Sequence, residues 1–297
     1  MRKLLFIFNT AAGRAQLCER LFIITDFYIK QDFVITLLSI TQLKRLSEVL
    51  TMSEQAFDIL VCAGGDGTLN SVISEYMKIG CSLPIGYLPM GSTNDFARSL
   101  GYTADFTETL KRSCMDFERQ IDVGRFNDRY FVYVAAFGSL AEVSYSTPQS
   151  TKNVLGHFAY ILNGIQKITD LKAYKLILEC DQEKIEGVFC MGFVMNSFSI
   201  GGFKNPVSEY VELDDGLFEV LLIKMPKNLS ELQQIIADLL GQRINGNMFI
   251  YLQTDVVKIH SECMSWTLDG EFGGVVDMVE IQNCQKAIRL LGGSMAI

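Results

Sequence analysis

Asp58-Ile-Leu-Val-Cys-Ala63-Gly64-Gly-Asp-Gly-Thr68 is the stretch that decides how the rest of the chain is read. Its first half is a short unbroken apolar run, the pattern of a strand buried on both faces. Its continuation carries Leu69, Val72, Ile73, Tyr76 and Met77, spaced as one face of a helix. The glycines therefore fall at a strand-to-helix turn, where bare backbone N–H groups and a helix N-terminus can meet a phosphate. A carboxylate in such an anion site is repulsive unless a cation bridges it, so Asp66 points to magnesium and a nucleotide. The same glycines would also serve an ordinary tight turn. Thr68 at the helix entry and two comparable loops nearby favour the functional reading.

Outward from this loop, the first third of the chain alternates strand and helix. Residues 4–8 read as a strand, 9–13 as a loop and 14–28 as a helix; a second strand covers 33–38 and a helix 43–51. Residues 85–88 form a short strand running into the loop at 91–95, and 96–100 form a helix closed by Gly101. This alternation predicts a parallel sheet covered on both faces, with ligands at the carboxyl ends of its strands. The loops at 9–13, 64–68 and 91–95 are expected along one edge. From about residue 121 the pattern becomes β-rich, with strands over 131–137, 174–179, 188–195, 217–223, 249–253, 256–260 and 275–281. That predicts an antiparallel sandwich or barrel. Two helices interrupt it, one over 153–168 and one over 231–240 with Ser230 and Gln233 as its capping box. The tail at 287–291 could return to the first domain.

A length of 297 residues predicts two domains of roughly 120–170 residues each. Apolar content of 49% with 20% charged residues describes a folded globular protein. The net charge of −8 argues against nucleic acid as a main partner and against whole-protein attraction to anionic membranes, leaving a local basic patch open. The eight cysteines show no C-x-x-C spacing, and Cys62, Cys180 and Cys190 sit in apolar runs, so they read as free thiols in a reducing compartment. The apolar run at 4–8 is too short for a secretory signal of roughly 7–15 residues. No stretch approaches the roughly 18 apolar residues of a membrane span. The expected location is cytoplasmic.

The chain lacks G-x-x-x-x-G-K-[ST], and its first strand-to-helix turn lacks G-x-G-x-x-G. Loop amides, the hydroxyls of Thr68 and Thr93 and a divalent metal would then have to hold the phosphates. That is sufficient in principle, because phosphoryl transfer is chiefly positioning plus charge stabilisation. The two histidines, His157 and His260, have no ligand-like spacing. A base is therefore sought among carboxylates: Asp66, Asp95, Asp122 and the pair Asp269 and Glu271. Asp269-Gly270 is also a natural hairpin turn, and Glu271 an ordinary exposed strand residue. Asp214-Asp215-Gly216-Leu217 reads as a turn that could, with Glu212 nearby, bind a hard cation through oxygen.

Gly64-Gly-Asp-Gly-Thr68, Gly91-Ser-Thr-Asn-Asp95-Phe96-Ala97, Ile121-Asp122-Val-Gly124, Asp214-Asp-Gly-Leu217 and Leu268-Asp-Gly-Glu271 occur in this order. Together they resemble the soluble bacterial lipid kinases of the diacylglycerol kinase catalytic-domain family, which also contains the sphingosine kinases. The likeness extends from Asn9 to about residue 291. It implies an α/β nucleotide-binding domain with a parallel sheet over 1–122, joined by 285–297, an antiparallel β-sandwich lipid-substrate domain over 123–284, and an active site in the cleft between them. It further implies ATP contacts from Asn9, Thr10, Gly13, Thr41, Gly64, Gly65, Asp66, Gly67, Thr68, Asn70, Ser71, Gly91, Thr93 and Asn94. By the same resemblance Asp66, Asp95 and Asp122 organise catalytic Mg2+, and Glu271 is the proton acceptor. Glu212, Asp215 and the Leu217 carbonyl match a second magnesium site. One departure is Asn9-Thr10, where the family commonly has Asn-Pro.

The implied activity is ATP- and magnesium-dependent transfer of the γ-phosphate to a lipid hydroxyl, from a diacylglycerol-like acceptor to a phosphatidic-acid-like product. Transient contact with a membrane surface is part of that expectation, and a homodimer is compatible with it. Arg14, Arg98 and Lys152 are candidates to guide an anionic headgroup, although plain solvated charge explains each as well. The alternatives are a small-molecule kinase of the NAD kinase type and a noncatalytic nucleotide- or lipid-binding regulator. The loop at 91–95 and the terminal Asp-Gly-Glu favour the lipid kinase over the first, and the retained acids speak against the second.

Overall fold

A computed structural model of the chain describes all residues except 10–13, 53–56, 93, 104, 139–170, 182, 201–202, 205–206, 208–209, 242, 245 and 293–297. Thr10, Gly13, Thr93, Lys152, His157 and the helix read over 153–168 lie outside the described residues. The chain divides into two units, Met1–Ile121 with Lys286–Ile297, and Asp122–Gln285. Asp122 thus groups with the second unit, one residue from the boundary read in the sequence.

The first unit is built on strands β1 (Arg2–Phe8), β2 (Phe33–Ser39), β3 (Ile59–Gly64) and β4 (Ile85–Pro89). β1 runs parallel to both β2 and β3, and β3 parallel to β4. Every residue of β3 is buried, which is why its sequence is apolar without alternation. Helices α1 (Arg14–Lys30), α2 (Leu46–Met52), α3 (Asp66–Lys78), α4 (Asp95–Ser99) and α5 (Phe106–Arg112) connect the strands or follow them. The helix read over 43–51 is instead a 3₁₀ segment, Ile40–Arg45, leading into α2. Leu4, Phe6, Val61 and Ala63 pack with Tyr28 of α1 and Phe33 of β2. Burying a side chain such as Leu or Phe contributes about 1.5–3 kcal/mol, before the entropy of ordering it is counted. Parallel register sets Phe8 beside Ala63 and Gly64 beside Pro89. The segments leaving β1, β3 and β4 therefore start from one edge of the sheet.

The second unit contains β5 (Glu118–Phe126, entered from the first unit), β6 (Arg129–Phe131), β7 (Val134–Gly138), β8 (Tyr174–Cys180), β9 (Glu183–Met195), the short β10 (Ser199–Ile200) and β11 (Phe203–Lys204), β12 (Phe218–Lys224), helix α6 (Leu229–Leu240), β13 (Phe249–Thr254), β14 (Val256–Leu268) and β15 (Glu271–Leu291). Its strands pair antiparallel in the order β13-β12-β9-β7-β14-β15, and β8 pairs with both β9 and β14. Trp266 lies at the centre of its core, edge-on to Phe126 and Phe137 with ring centroids 5.1 Å away in each case. The end of β15 belongs to the first unit, where Leu290 pairs in parallel with Ile85 of β4.

Three local readings are corrected. The strand read over 131–137 is two, β6 and β7, interrupted at Val132 and Tyr133. β14 extends well past residue 260, through a register shift between His260 and Met264 whose polar residues hid the continuation. α6 is capped by Asn228, which accepts from Glu231 N at 2.9 Å while Glu231 accepts from Lys227 N at 2.6 Å. Ser230 and Gln233 do not form its capping box.

Candidate functional site

In the first unit, β3 ends at Gly64 and α3 begins at Asp66, with Gly65 as an extended N-cap residue that has no side chain to satisfy the helix. Four amides at such a start have no intrahelical partner, so this end of α3 is open to an anion. The Asp66 carboxylate reaches across to α4. Its Oδ2 accepts from Asp95 N at 3.0 Å and its Oδ1 from Phe96 N at 3.3 Å. Asp66 thus caps a five-residue helix from outside, while Asp95 is itself 3% exposed. Asn94, left-handed at φ 52, closes a ring with Gly91: Gly91 N donates to Asn94 Oδ1, and Asn94 Nδ2 to Gly91 O, each at 2.9 Å.

The backbones of the two loops touch. A Cβ placed on Gly91 would lie 2.6 Å from Gly65 Cα, so this approach requires glycine at 91, while a Cβ on Gly65 would meet Gly91 Cα at a tight 3.0 Å. Met90 N donates to Gly64 O at 2.9 Å. Asn9, the first residue after β1, joins the same assembly, because its Nδ2 donates to Thr68 Oγ1 at 2.9 Å. Thr68 is buried, and its hydroxyl, having accepted from Asn9, still has a proton to give. On β4, Tyr87 is fully buried with an unpartnered hydroxyl. Burial, and after it the Asp66 charge, hold that phenol far above its usual pKa, so it stays neutral.

Asn9, Gly64, Gly65, Asp66, Gly67, Thr68, Gly91, Asn94 and Asp95 are therefore brought together. Ser71 turns back, donating to Gly67 O at 2.9 Å. Thr41 is exposed in the 3₁₀ segment and bonded to Ser39. Asn70 lies on the first turns of α3, half-buried, and Arg98 is exposed on α4.

In the second unit, Asp122 is fully buried. Its N–H donates to Leu213 O at 2.8 Å, its Oδ2 accepts from Gly216 N at 2.7 Å, and its carbonyl accepts from Asn196 Nδ2 at 3.2 Å. The turn of Asp214, Asp215 and Gly216 is thereby tied to Asp122. Asp215 Oδ1 accepts from Leu217 N at 2.9 Å, and Leu217 O accepts from Asn283 Nδ2 at 3.1 Å. Glu212 is exposed. Glu271 is also exposed, at the start of β15 after the turn at Asp269 and Gly270. Among the described residues no group of three or more His, Cys, Asp or Glu could hold a metal ion.

Asn196 and Asn283 position parts of this network, yet no motif marks them, since their partners are main-chain atoms distant in sequence. Glu219 also went unread. It is fully buried, bonded to Gln253 through one oxygen only, and pushed up to about 8, chiefly by burial. An acid inside an otherwise apolar strand was the available signal.

Residues 3–126 match a family model described as the diacylglycerol kinase catalytic domain. A diacylglycerol kinase of Bacillus subtilis (strain 168) is 34% identical over 223 residues, covering 74% of this chain and 73% of that protein. A diacylglycerol kinase of Staphylococcus aureus (strain MRSA252) is 31% identical over 274 residues, covering 90% of this chain and 85% of that one. Among solved structures, a diacylglycerol kinase from Bacillus anthracis str. Sterne superposes with a TM-score of 0.76 at 21% identity, over 98% of this chain and 96% of that one. At that identity the likeness is one of fold.

Proposed function

The chain belongs to the diacylglycerol kinase catalytic-domain family, which makes it an ATP-dependent lipid kinase, and on that premise we propose that it uses ATP and magnesium to phosphorylate the hydroxyl of a diacylglycerol-like lipid, giving a phosphatidic-acid-like product. The observation that most supports this reading is the joining of residues at the ends of three parallel strands by the Asn9–Thr68, Gly65–Gly91 and Asp66–Asp95 contacts. In this reading the α/β unit holds the nucleotide, and the strand-rich unit, as a β-sandwich, takes the lipid.

Amides at the start of α3 hold phosphate charge, and Thr68, oriented by Asn9, donates a hydrogen bond to a phosphate oxygen. Thr41, Asn70, Ser71, Gly91 and Asn94, with Thr10, Gly13 and Thr93, complete the assigned ATP contacts. Glu271 accepts the proton of the lipid hydroxyl as its oxygen attacks the γ-phosphorus.

The side chains assigned to magnesium are of the oxygen-donor type it takes, although no three of the described acids cluster around one point. Asp66, Asp95 and Asp122 are assigned to the catalytic ion, and Glu212, Asp215 and the Leu217 carbonyl to a second. All are oxygen donors, and the carbonyl bonded to Asn283 keeps a second lone pair. Magnesium keeps several waters and takes one or two carboxylates with phosphate oxygens, so it does not require a three-acid cluster. When bound it supplies neutralisation of phosphate charge.

The reading includes a cytoplasmic location, transient contact with a membrane surface and room for a homodimer. Among the described residues no helix is long and apolar enough to cross a membrane. The test is incubation with labelled ATP, magnesium and diacylglycerol vesicles, with NAD in parallel. Labelled lipid is the expected outcome; NADP formation with unlabelled lipid would overturn the reading. A total bacterial lipid extract in the same assay identifies the acceptor.

A further inference from the structure

We propose that Asp269 is a positioning residue for Glu271, its buried carboxylate pinning the hairpin that carries the proton acceptor. This rests on the role given to Glu271 above. Leu268 and Glu271 face each other across a two-residue turn joining β14 to β15, with Asp269 at φ 51 and Gly270 at φ 81. Two successive positive φ values suit the type I′ turn for which Asp-Gly is a favoured pair. Turn geometry alone asks only for tolerance of positive φ, which Asn or Gly supplies as well.

Asp269 does more than that. It is 4% exposed. Its Oδ2 accepts from Val132 N at 2.7 Å, and its Oδ1 from Tyr133 N and Val134 N at 3.0 Å each. Its own N–H donates to Val134 O at 2.8 Å. Three consecutive amides converging on one carboxylate make an anion-holding concavity of the kind backbone offers to phosphate. Here a side chain of the protein occupies it. The arrangement takes the amides of Val132 and Tyr133 out of strand pairing, which accounts for the break between β6 and β7.

On the other side of Glu271, Arg129 Nη1 donates to Phe272 O at 3.0 Å. The main chain is therefore tethered just before and just after Glu271, while the Glu271 side chain stays exposed. A proton acceptor has to be held within about 0.5 Å of its productive position, and an untethered hairpin tip would not do so.

The experiment compares Asp269→Ala and Asp269→Asn in the wild-type and Glu271→Ala backgrounds of the full chain, measuring kcat and the KM for ATP and for diacylglycerol in vesicles. Amide hydrogen exchange at residues 132–134 reports release of the tether, and circular dichroism reports retention of the fold. Asp269→Ala should lower kcat on the order of 10²-fold, the scale of a roughly 1 Å misplacement, with KM for ATP changed less than about twofold. Asp269→Asn, which keeps one carbonyl acceptor, should fall between. In the Glu271→Ala background neither change should cost further activity. If Asp269→Ala does not fold, the Asn series carries the comparison.

Equal losses in both backgrounds would overturn the positioning role, as would wild-type kcat in Asp269→Asn with fast exchange at 132–134. Full activity in Glu271→Ala alone would instead overturn the assignment of the proton acceptor, and the positioning role with it.

Discussion

Gly91→Ala is the sharpest test of the loop assembly in the first unit. Gly91 is not among the residues with positive φ, so alanine meets no backbone objection, and the effect is purely one of space. The added Cβ would lie 2.6 Å from Gly65 Cα and 2.7 Å from Asn94 Oδ1. Non-bonded carbon atoms rest at about 3.5–4.0 Å, so the two loops must part by roughly 1 Å. Neither obstacle is the free end of a flexible side chain: one is backbone, and the other is the amide that closes the Asn94–Gly91 ring. Overpacking of this kind costs about 1–3 kcal/mol of stability, and a 1 Å displacement of substrate-holding groups costs on the order of 10²-fold in rate. Gly91→Ala should therefore lower kcat/KM for ATP about 10²-fold, with a modest fall in the denaturation midpoint. Initial rates with varied ATP at fixed diacylglycerol vesicles measure it. Gly80→Ala is the control, because a Cβ there meets nothing within 4 Å and only the positive φ of 62 is opposed. It should lose a little stability and leave ATP kinetics unchanged. Wild-type kinetics in Gly91→Ala, or an equal loss in Gly80→Ala, would refute the reasoning.

Asn9→Leu removes the donor that orients Thr68; a net hydrogen bond of about 0.5–1.5 kcal/mol predicts a rise in the KM for ATP of roughly 2- to 10-fold, read from initial rates. Glu219 holds a proton in the folded state up to about 8, whereas its ordinary value is 4.5. Its contribution to stability is therefore full below 4.5 and is lost as pH rises towards 8. Glu219→Gln should flatten that decline in denaturant midpoints, and an unchanged slope would count against the burial argument. Asn228→Ala should destabilise α6 by about 1 kcal/mol in urea unfolding, whereas Ser230→Ala should have little effect.

What could be read in advance followed the range of the interactions. β3 and α3 were legible because an unbroken apolar run and a 3.6-residue periodicity are local signals, and the shared edge of the three loops followed from strand-helix alternation. The two roles of aspartate were not. Asp66 meets Asp95 and Phe96 across 29 and 30 residues, and Asp269 meets Val132 across 137. Such pairings are set by the sheet and leave no local pattern. The cap of α6 failed for a different reason: Asn228 with Glu231 and Ser230 with Gln233 both satisfy one spacing template. Only the observed bonds separate them. The extent of β14 was lost at a bulge, where a register shift breaks the alternation that marks a strand.

The placement of Leu290 beside Ile85 has a consequence for the living cell. A ribosome delivers Met1–Ile121 first, then the whole of Asp122–Gln285, and only afterwards the segment that flanks β4. At roughly 5–20 residues per second, that interval lasts on the order of ten seconds. Throughout it the nascent first unit lacks one of its strands, and an unpaired strand edge invites association with other chains. The later-made unit is contiguous and can finish folding before the earlier one. Chaperone dependence during translation should therefore track the first unit, and slowing elongation within the inserted segment should lengthen its exposure.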